Sequence, residues 1–160
     1  MSATAGVRSV ILCNSMIYGH GLGLRRDSAQ IPALVSQARK SGVARHVGQG
    51  LNIWSNVHIE DVVELYLLAL KQGGAGTFYY VENGEASFSE IVKAISRRLG
   101  LGPAQPWAVE DAIKEWGLGT AVYSLGSNSR ISSRRAREEL GWAPKHADVL
   151  DWIRSAMQLT

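Results

Sequence analysis

The sequence predicts an α/β fold, and three observations predict it. Two short β-branched runs, Val7–Cys13 and Thr77–Val81, have the length and composition of sheet strands. Between and after them lie segments whose apolar residues recur at helical spacing, with glycine clusters at several of the boundaries. Helices gain ground toward the C-terminus, so the expected order is a strand-rich first part and a mostly helical second part. At 160 residues, with 46% hydrophobic and 19% charged residues, the chain has the size and composition of a single folded domain.

Val7–Cys13 is bounded by Gly6 and by Asn14-Ser15. A run so continuously apolar is expected to be buried on both faces, as inside a parallel sheet, which makes Cys13 a core residue. The glycine loop Gly19-His20-Gly21-Leu22-Gly23 follows. Asp27 or Ser28 is placed to cap a helix in which Ile31, Leu34, Val35 and Ala38 share one face, and Pro32 suits its first turn. A β-like stretch, Ala44–Val47, leads through Gly48 and Gly50 into Ile53-Trp54-Ser55-Asn56-Val57-His58. The next helix runs from Glu60 to Lys71, and its wide apolar face of Val62, Val63, Tyr66, Leu67 and Leu70 predicts deep burial. Ser87-Phe88-Ser89-Glu90 has the spacing of a capping box and opens a helix containing Ile91, Val92 and Ile95. A short helix is expected around Val109–Trp116. Another is capped by Ser132 or Ser133 and ends at Leu140-Gly141; beyond Pro144 a last helix covers Ala147–Leu159.

Composition excludes several classes of function. The net charge of +3 comes from 17 basic residues mixed with 14 acidic ones, as in Arg134-Arg135-Ala136-Arg137-Glu138-Glu139. That is a solvated helix face, whereas a nucleic-acid binder concentrates its cations, so no nucleic-acid partner is expected. No apolar run approaches the roughly 18–20 residues of a membrane span, so no membrane partner is expected either. One cysteine excludes a disulfide framework, and the first six residues lack the features of a signal peptide, so a cytoplasmic location is expected. His20, His46, His58 and His146 show no metal-ligand spacing, and no metal is expected.

Catalytic motifs are equally sparse. His58-Ile59-Glu60 lacks the cysteine pair of a zinc deaminase, and there is no G-x-S-x-G elbow. The Gly19–Gly23 loop has Leu24 where a dinucleotide fingerprint requires its third glycine. Tyr18 is different, because it follows the carboxyl end of a predicted strand, where open α/β sheets bind their ligands. The alternative is that it packs beneath the glycine loop.

Three runs, taken together, carry a resemblance. Val10–Gly19, then Trp54-Ser55-Asn56-Val57-His58-Ile59-Glu60-Asp61-Val62, and finally Glu139-Leu140-Gly141-Trp142-Ala143-Pro144 occur in that order, with Tyr79-Tyr80-Val81-Glu82-Asn83-Gly84 between them. The chain resembles the C-terminal half of an extended or atypical short-chain dehydrogenase/reductase of the NAD-dependent epimerase/dehydratase type. The resemblance implies the C-terminal part of a Rossmann-like sheet plus a small, mostly helical substrate-binding lobe, with the dinucleotide-binding half absent.

The family's Tyr-x-x-x-Lys pair is missing. Four residues after Tyr18, Tyr66, Tyr79, Tyr80 and Tyr123 stand Leu22, Leu70, Asn83, Gly84 and Ser127, so no catalytic residue is assigned. By resemblance, Asn14, Ser15 and Met16 border the nicotinamide of NAD or NADP in a complete member, while this chain alone is expected to bind neither tightly. Tyr18, Gln30, Trp54, Asn56 and His58 are expected to line the pocket of a small-molecule substrate. Asp61 is read as a helix-start residue accepting backbone N–H bonds. Cys13 and Trp54 stand where many sugar-nucleotide members carry arginine, which favours a smaller or less anionic substrate. Expected activity is a hydride-transfer lobe inactive by itself; the alternative is a binding module that forms a homo-oligomer through the Val7–Cys13 strand.

Overall fold

The computed structural model describes residues 6–23 and 28–158. Three small sheets and six α-helices alternate along them. Strands β1 (Val10–Asn14) and β5 (Thr77–Val81) pair in parallel, with Val10 opposite Thr77 and Asn14 opposite Val81. One residue beyond β1, strand β2 (Met16–Tyr18) enters a second sheet, parallel to β4 (Ile53–His58), whose far side takes the antiparallel β6 (Glu85–Ser87). Strands β3 (Arg45–Val47) and β7 (Gln105–Trp107) form a third pair.

Around these lie α1 (Gln30–Ser41), α2 (Ile59–Gln72), α3 (Phe88–Arg98), α4 (Val109–Leu118), α5 (Arg134–Leu140) and α6 (Val149–Ser155). A left-handed Gly117 breaks α4, which continues into a π-helical turn over Gly119–Ser124. No helix among the described residues is long and apolar enough to cross a membrane.

The β2–β4 sheet separates two cores. On one side Met16 and Tyr18 pack with Ile31, Leu34, Phe88, Ile91, Ile95 and Ile153 from α1, α3 and α6. On the other, Val57 joins Val62, Leu65 and Ala69 of α2, Tyr79 and Val81 of β5, and Leu140 and Trp142 beside α5. Each fully buried side chain of this size stabilises the fold by about 1.5–3 kcal/mol, so both cores matter. Alternation along β2 puts its neighbours on opposite sides, and Ile17 packs against the second core.

Caps agree with the sequence in places and differ in others. The capping box forms: Ser87 Oγ accepts from Glu90 N–H, and Ser87 N–H donates to Glu90. Asp148 caps α6 by accepting from Leu150 and Asp151 N–H. Helix α1 starts after Ala29 with no side-chain cap; Ser28 does not serve, and Asp27 lies outside the described residues. The last helix spans Val149–Ser155 and not Ala147–Leu159.

Two burial expectations are overturned. The first strand is not buried on both faces: Ile11 is 55% exposed and Cys13 is exposed rather than core. Helix α2 buries Val62, Leu65 and Ala69, but leaves Val63, Tyr66, Leu67 and Leu70 exposed. Apolar character measures the affinity of a face for cover, and among the described residues no element covers these faces.

Candidate functional site

The carboxyl ends of β1 and β2 place the first group of candidates. Between the two sheets the chain is held by Ser15, whose N–H and hydroxyl both donate to Val81 O, at 3.0 and 2.8 Å. Asn14 is exposed, and its amide donates to Tyr66 Oη at 3.2 Å. The Met16 side chain is buried in the first core, so only its backbone can meet a ligand.

Tyr18 ends β2, is 1% exposed, and donates its hydroxyl to His146 O at 3.1 Å. Burial, followed by the Asp61 and Asp148 carboxylates, pushes its phenol far above the ordinary range, so it stays protonated. Its ring lies between those of His58 and Trp152, with centroids 5.2 and 5.6 Å away. Gly19, at φ +101°, brings its backbone so close to His58 that a Cβ would lie 2.6 Å from His58 Nε2 and 2.9 Å from Ile59 Cγ2. Glycine is needed there for contact with the imidazole, and the close approach is not open to a phosphate.

His58 ends β4 and begins α2 without an intervening loop. Its Nδ1 accepts from Glu60 N–H at 3.3 Å, making the imidazole the N-cap of α2. Its ring stacks on His146, with centroids 4.0 Å apart and planes 25° apart, and meets Tyr18 edge-on at 5.2 Å. Burial and the neighbouring His146 lower its pKa below the ordinary 6.5 against the opposing pull of Glu60 and Asp61.

Asp61 accepts backbone N–H bonds as expected, though not from its own helix. Its carboxylate, 1% exposed, takes Lys145 N–H and His146 N–H at 2.9 Å each, and lies 3.2 Å from His146 Nδ1. His146 O in turn accepts from Tyr18 and from Asn83 Nδ2. Asp61 thus fastens the segment before α6 to the β2–β4 edge. Beside it a cavity of about 380 Å³ is lined by Tyr18, His58, Lys145, His146, Asp148, Asp151 and Trp152, among others.

The remaining candidates lie apart from this group. Asn56 is fully buried in β4, clamped by backbone bonds with Asn83 and Gly84, and neither polar atom of its amide has a partner among the described residues. Trp54 packs edge-on against Phe88 and donates its one N–H to Ser127 O at 2.8 Å. Gln30 is the half-buried first residue of α1. Sequence reasoning missed His146, Lys145 and Trp152. Their positions just beyond the Glu139–Pro144 run were the only available signal, and their approach to Tyr18 is long-range.

Donor atoms of His58, Glu60 and His146 lie within 4.8 Å of one another. The two imidazoles are stacked, however, and lone pairs lie in the ring planes, so near-parallel rings cannot aim at one ion. His58 Nδ1 is also engaged by the Glu60 amide. As arranged, this is a hydrogen-bonded clasp and does not fit a metal centre.

The model of the NAD dependent epimerase/dehydratase family matches residues 1–81. The chain belongs to this family. An uncharacterised protein of Schizosaccharomyces pombe is 32% identical over 154 residues, covering 96% of this chain and 50% of that protein. A relative from an Acremonium species, named oxidase ucsJ, is 32% identical over 86% of this chain and 46% of its own length. The chain therefore spans about half the length of the curated relatives it matches. Among solved structures, UDP-glucose 4-epimerase from Thermotoga maritima with UDP-glucose superposes with a TM-score of 0.69 at 16% identity, over 96% of this chain and 46% of that one. At that identity the likeness shows the fold, which is of the family's Rossmann-like α/β kind.

Of a dinucleotide, the residues here fit one edge. The side-chain carbonyl of Asn14 and the Ser15 hydroxyl, which can still accept, have the polar character of a nicotinamide border. Gly19 is taken up by its contact with His58 and is closed to a pyrophosphate.

Proposed function

We propose that this chain is the substrate-facing lobe of an NAD(P)-dependent oxidoreductase or epimerase that acts only together with a dinucleotide-binding half. The geometry at Asn14–Met16 carries the reading. There the chain leaves the parallel β1–β5 pair at the carboxyl ends of its two strands, the address at which open α/β sheets bind ligands, and enters β2 of the next sheet. Asn14 and Ser15 border the nicotinamide through side-chain oxygens and Met16 through its backbone. Tyr18 and His58, which share the cavity beside Asp61, form the substrate wall, Tyr18 through its ring because its hydroxyl is held by His146, while Gln30, Trp54 and the buried Asn56 lie outside that cavity.

NAD or NADP, when bound, supplies the hydride chemistry. This chain supplies position and shields the reacting carbon from water. It contains no Tyr-x-x-x-Lys pair, so the proton donor comes from the other half. The substrate is smaller or less anionic than a sugar nucleotide: the one donor of Trp54 is engaged by Ser127, and no guanidinium replaces it at that position. We place the protein in the cytoplasm, in keeping with its exposed free thiol.

The test is turnover by the purified chain, with NADH or NADPH, of a panel of aldehydes, ketones and sugar nucleotides. No turnover above buffer is expected, and reproducible turnover of any of them would sink the reading. A second reading, self-association through Val7–Cys13, is favoured by the uncovered edge of β1. Light scattering at high protein concentration decides it, with a monomer as the excluding result.

A further inference from the structure

A cavity of about 680 Å³ lies between α1, the glycine loop and the end of α6. Its size falls within the roughly 300–1,000 Å³ of small-molecule sites. One wall is helical. Pro32, Val35, Ser36 and Arg39 fall at i, i+3, i+4 and i+7 of α1 and form a stripe apart from Ile31, Leu34 and Ala38, which the first core buries. At 1.5 Å of rise per residue that stripe is about 10 Å long.

Hydrogen bonds hold the other walls in place. Gln158 N–H donates to His20 Nε2 at 3.4 Å, which ties the chain beyond α6 to the glycine loop. Met157 O accepts from Nε and Nη2 of Arg98 in α3, at 3.3 and 3.0 Å, and Met157 N–H donates to Trp152 O at 2.9 Å. Trp152 lies between two rings, its centroid 5.2 Å from that of His20 and 5.6 Å from that of Tyr18. Its indole borders both this cavity and the one beside Asp61, and it is the sole described residue common to the two linings.

Among the described residues this lining holds one guanidinium, Arg39, and no carboxylate. Long helical side chains lean toward the N-terminus of their helix, so the guanidinium reaches back over Val35 and Ser36. The cavity beside Asp61 has the opposite character, with Asp148 and Asp151 against the single Lys145. We propose that the cavity between α1 and α6 binds a flat aromatic carboxylate. The planar guanidinium fork matches a carboxylate through two parallel N–H···O bonds, and the Ser36 hydroxyl can donate to the same anion. The rings of the ligand lie against the indole of Trp152, with Pro32, Val35 and Met157 supplying apolar contact. A stripe of about 10 Å accommodates two fused rings and their carboxylate. A bare inorganic anion would leave the indole and the apolar contacts unused, and a neutral ring would gain nothing from the guanidinium. The inference needs no cofactor and stands independently of the lobe reading.

The experiment is titration of the purified chain with 2-naphthoate, followed by calorimetry and by amide NMR. Saturable one-to-one binding is expected, with shifts concentrated at Gly21, Ser36, Arg39 and Gln158. The amide 2-naphthamide, with the same rings and no charge, should bind about tenfold more weakly, and Arg39→Gln should weaken 2-naphthoate by about the same factor. Ser36→Trp, which brings an indole into the cavity from an exposed helix position, should abolish binding at an unchanged circular dichroism spectrum. Absence of saturable binding up to the solubility limit of the probe overturns the proposal. So do equal affinities for the acid and the amide, an unchanged affinity in either variant, or shifts confined to Tyr18, His58 and His146, which would put the probe beside Asp61. None of these results bears on turnover with NADH or NADPH, so failure here leaves the lobe reading standing.

Discussion

His58 shows how much a single residue can be asked to do. Its Nδ1 caps α2, its ring stacks on His146, and Gly19 closes over Nε2. A proton on Nδ1 removes the cap, places a cation at the positive end of a helix dipole, and sets it beside a second imidazole. His46 is comparable: Gly50 packs on its ring, Nδ1 lies 3.1 Å from Gly48 O, and burial, assisted by Lys93, lowers its pKa too. Both folded-state values lie below the ordinary 6.5, so the unfolded chain takes up protons that the folded one refuses. Stability is therefore unaffected by these groups above pH 6.5, and falls as pH drops below it, levelling off once the folded values are passed. Glu85 and Glu90, held below the ordinary 4.5 by Arg130 and Ser87, contribute their own acid loss at lower pH. Thermal melts between pH 7.5 and 5 should show the decline, and His58→Asn, which keeps a capping side chain but cannot titrate, should flatten it. An unchanged slope in that variant would place the acid sensitivity elsewhere.

At the scale of elements, local signals were reliable wherever the partner was local. The Ser87 and Glu90 spacing specified the start of α3, and both halves of the capping box are formed. Ser87→Ala should lower stability to urea by about 1 kcal/mol without changing the slope of the transition. Start signals failed where the cap came from an unexpected residue type. α2 is capped by an imidazole at the end of a strand, and α1 begins with no side-chain cap. The short strands β2, β6 and β7, of three residues each, carry too little alternation to stand out in the sequence. They exist because neighbours in space complete their hydrogen bonds.

For the whole molecule, the decisive feature is an apolar surface left open across β1, β5 and α2. Such a surface should bind an environment-sensitive dye while the protein is fully folded. Anilinonaphthalene sulfonate is expected to brighten with the native chain, and the Leu67→Lys, Leu70→Lys variant should lose at least half of that signal at equal helicity. Equal brightness in both would assign the dye to another face. The same feature explains why Val7–Cys13 and the Glu60–Lys71 helix look like interior elements in sequence. Hydrophobic character records what a surface requires, and the partner that satisfies it is not encoded nearby.

The α/β order, the helix capped by Ser87, the family carried by three ordered runs and the lack of a Tyr-x-x-x-Lys pair were all legible in the amino-acid sequence. All of these depend on residue identity or on spacing within a few turns. Where those residues act became visible only in the folded chain. It turned Asp61 from a helix-start residue into the clip that holds Lys145 and His146, committed the Trp54 N–H to Ser127 and the Tyr18 hydroxyl to His146, and exposed Cys13 and Ile11. The reason is physical: burial and hydrogen-bond partnership are long-range properties, fixed by contacts across 70 to 130 positions of chain such as Tyr18 to His146 and Trp54 to Ser127, and no local pattern contains them.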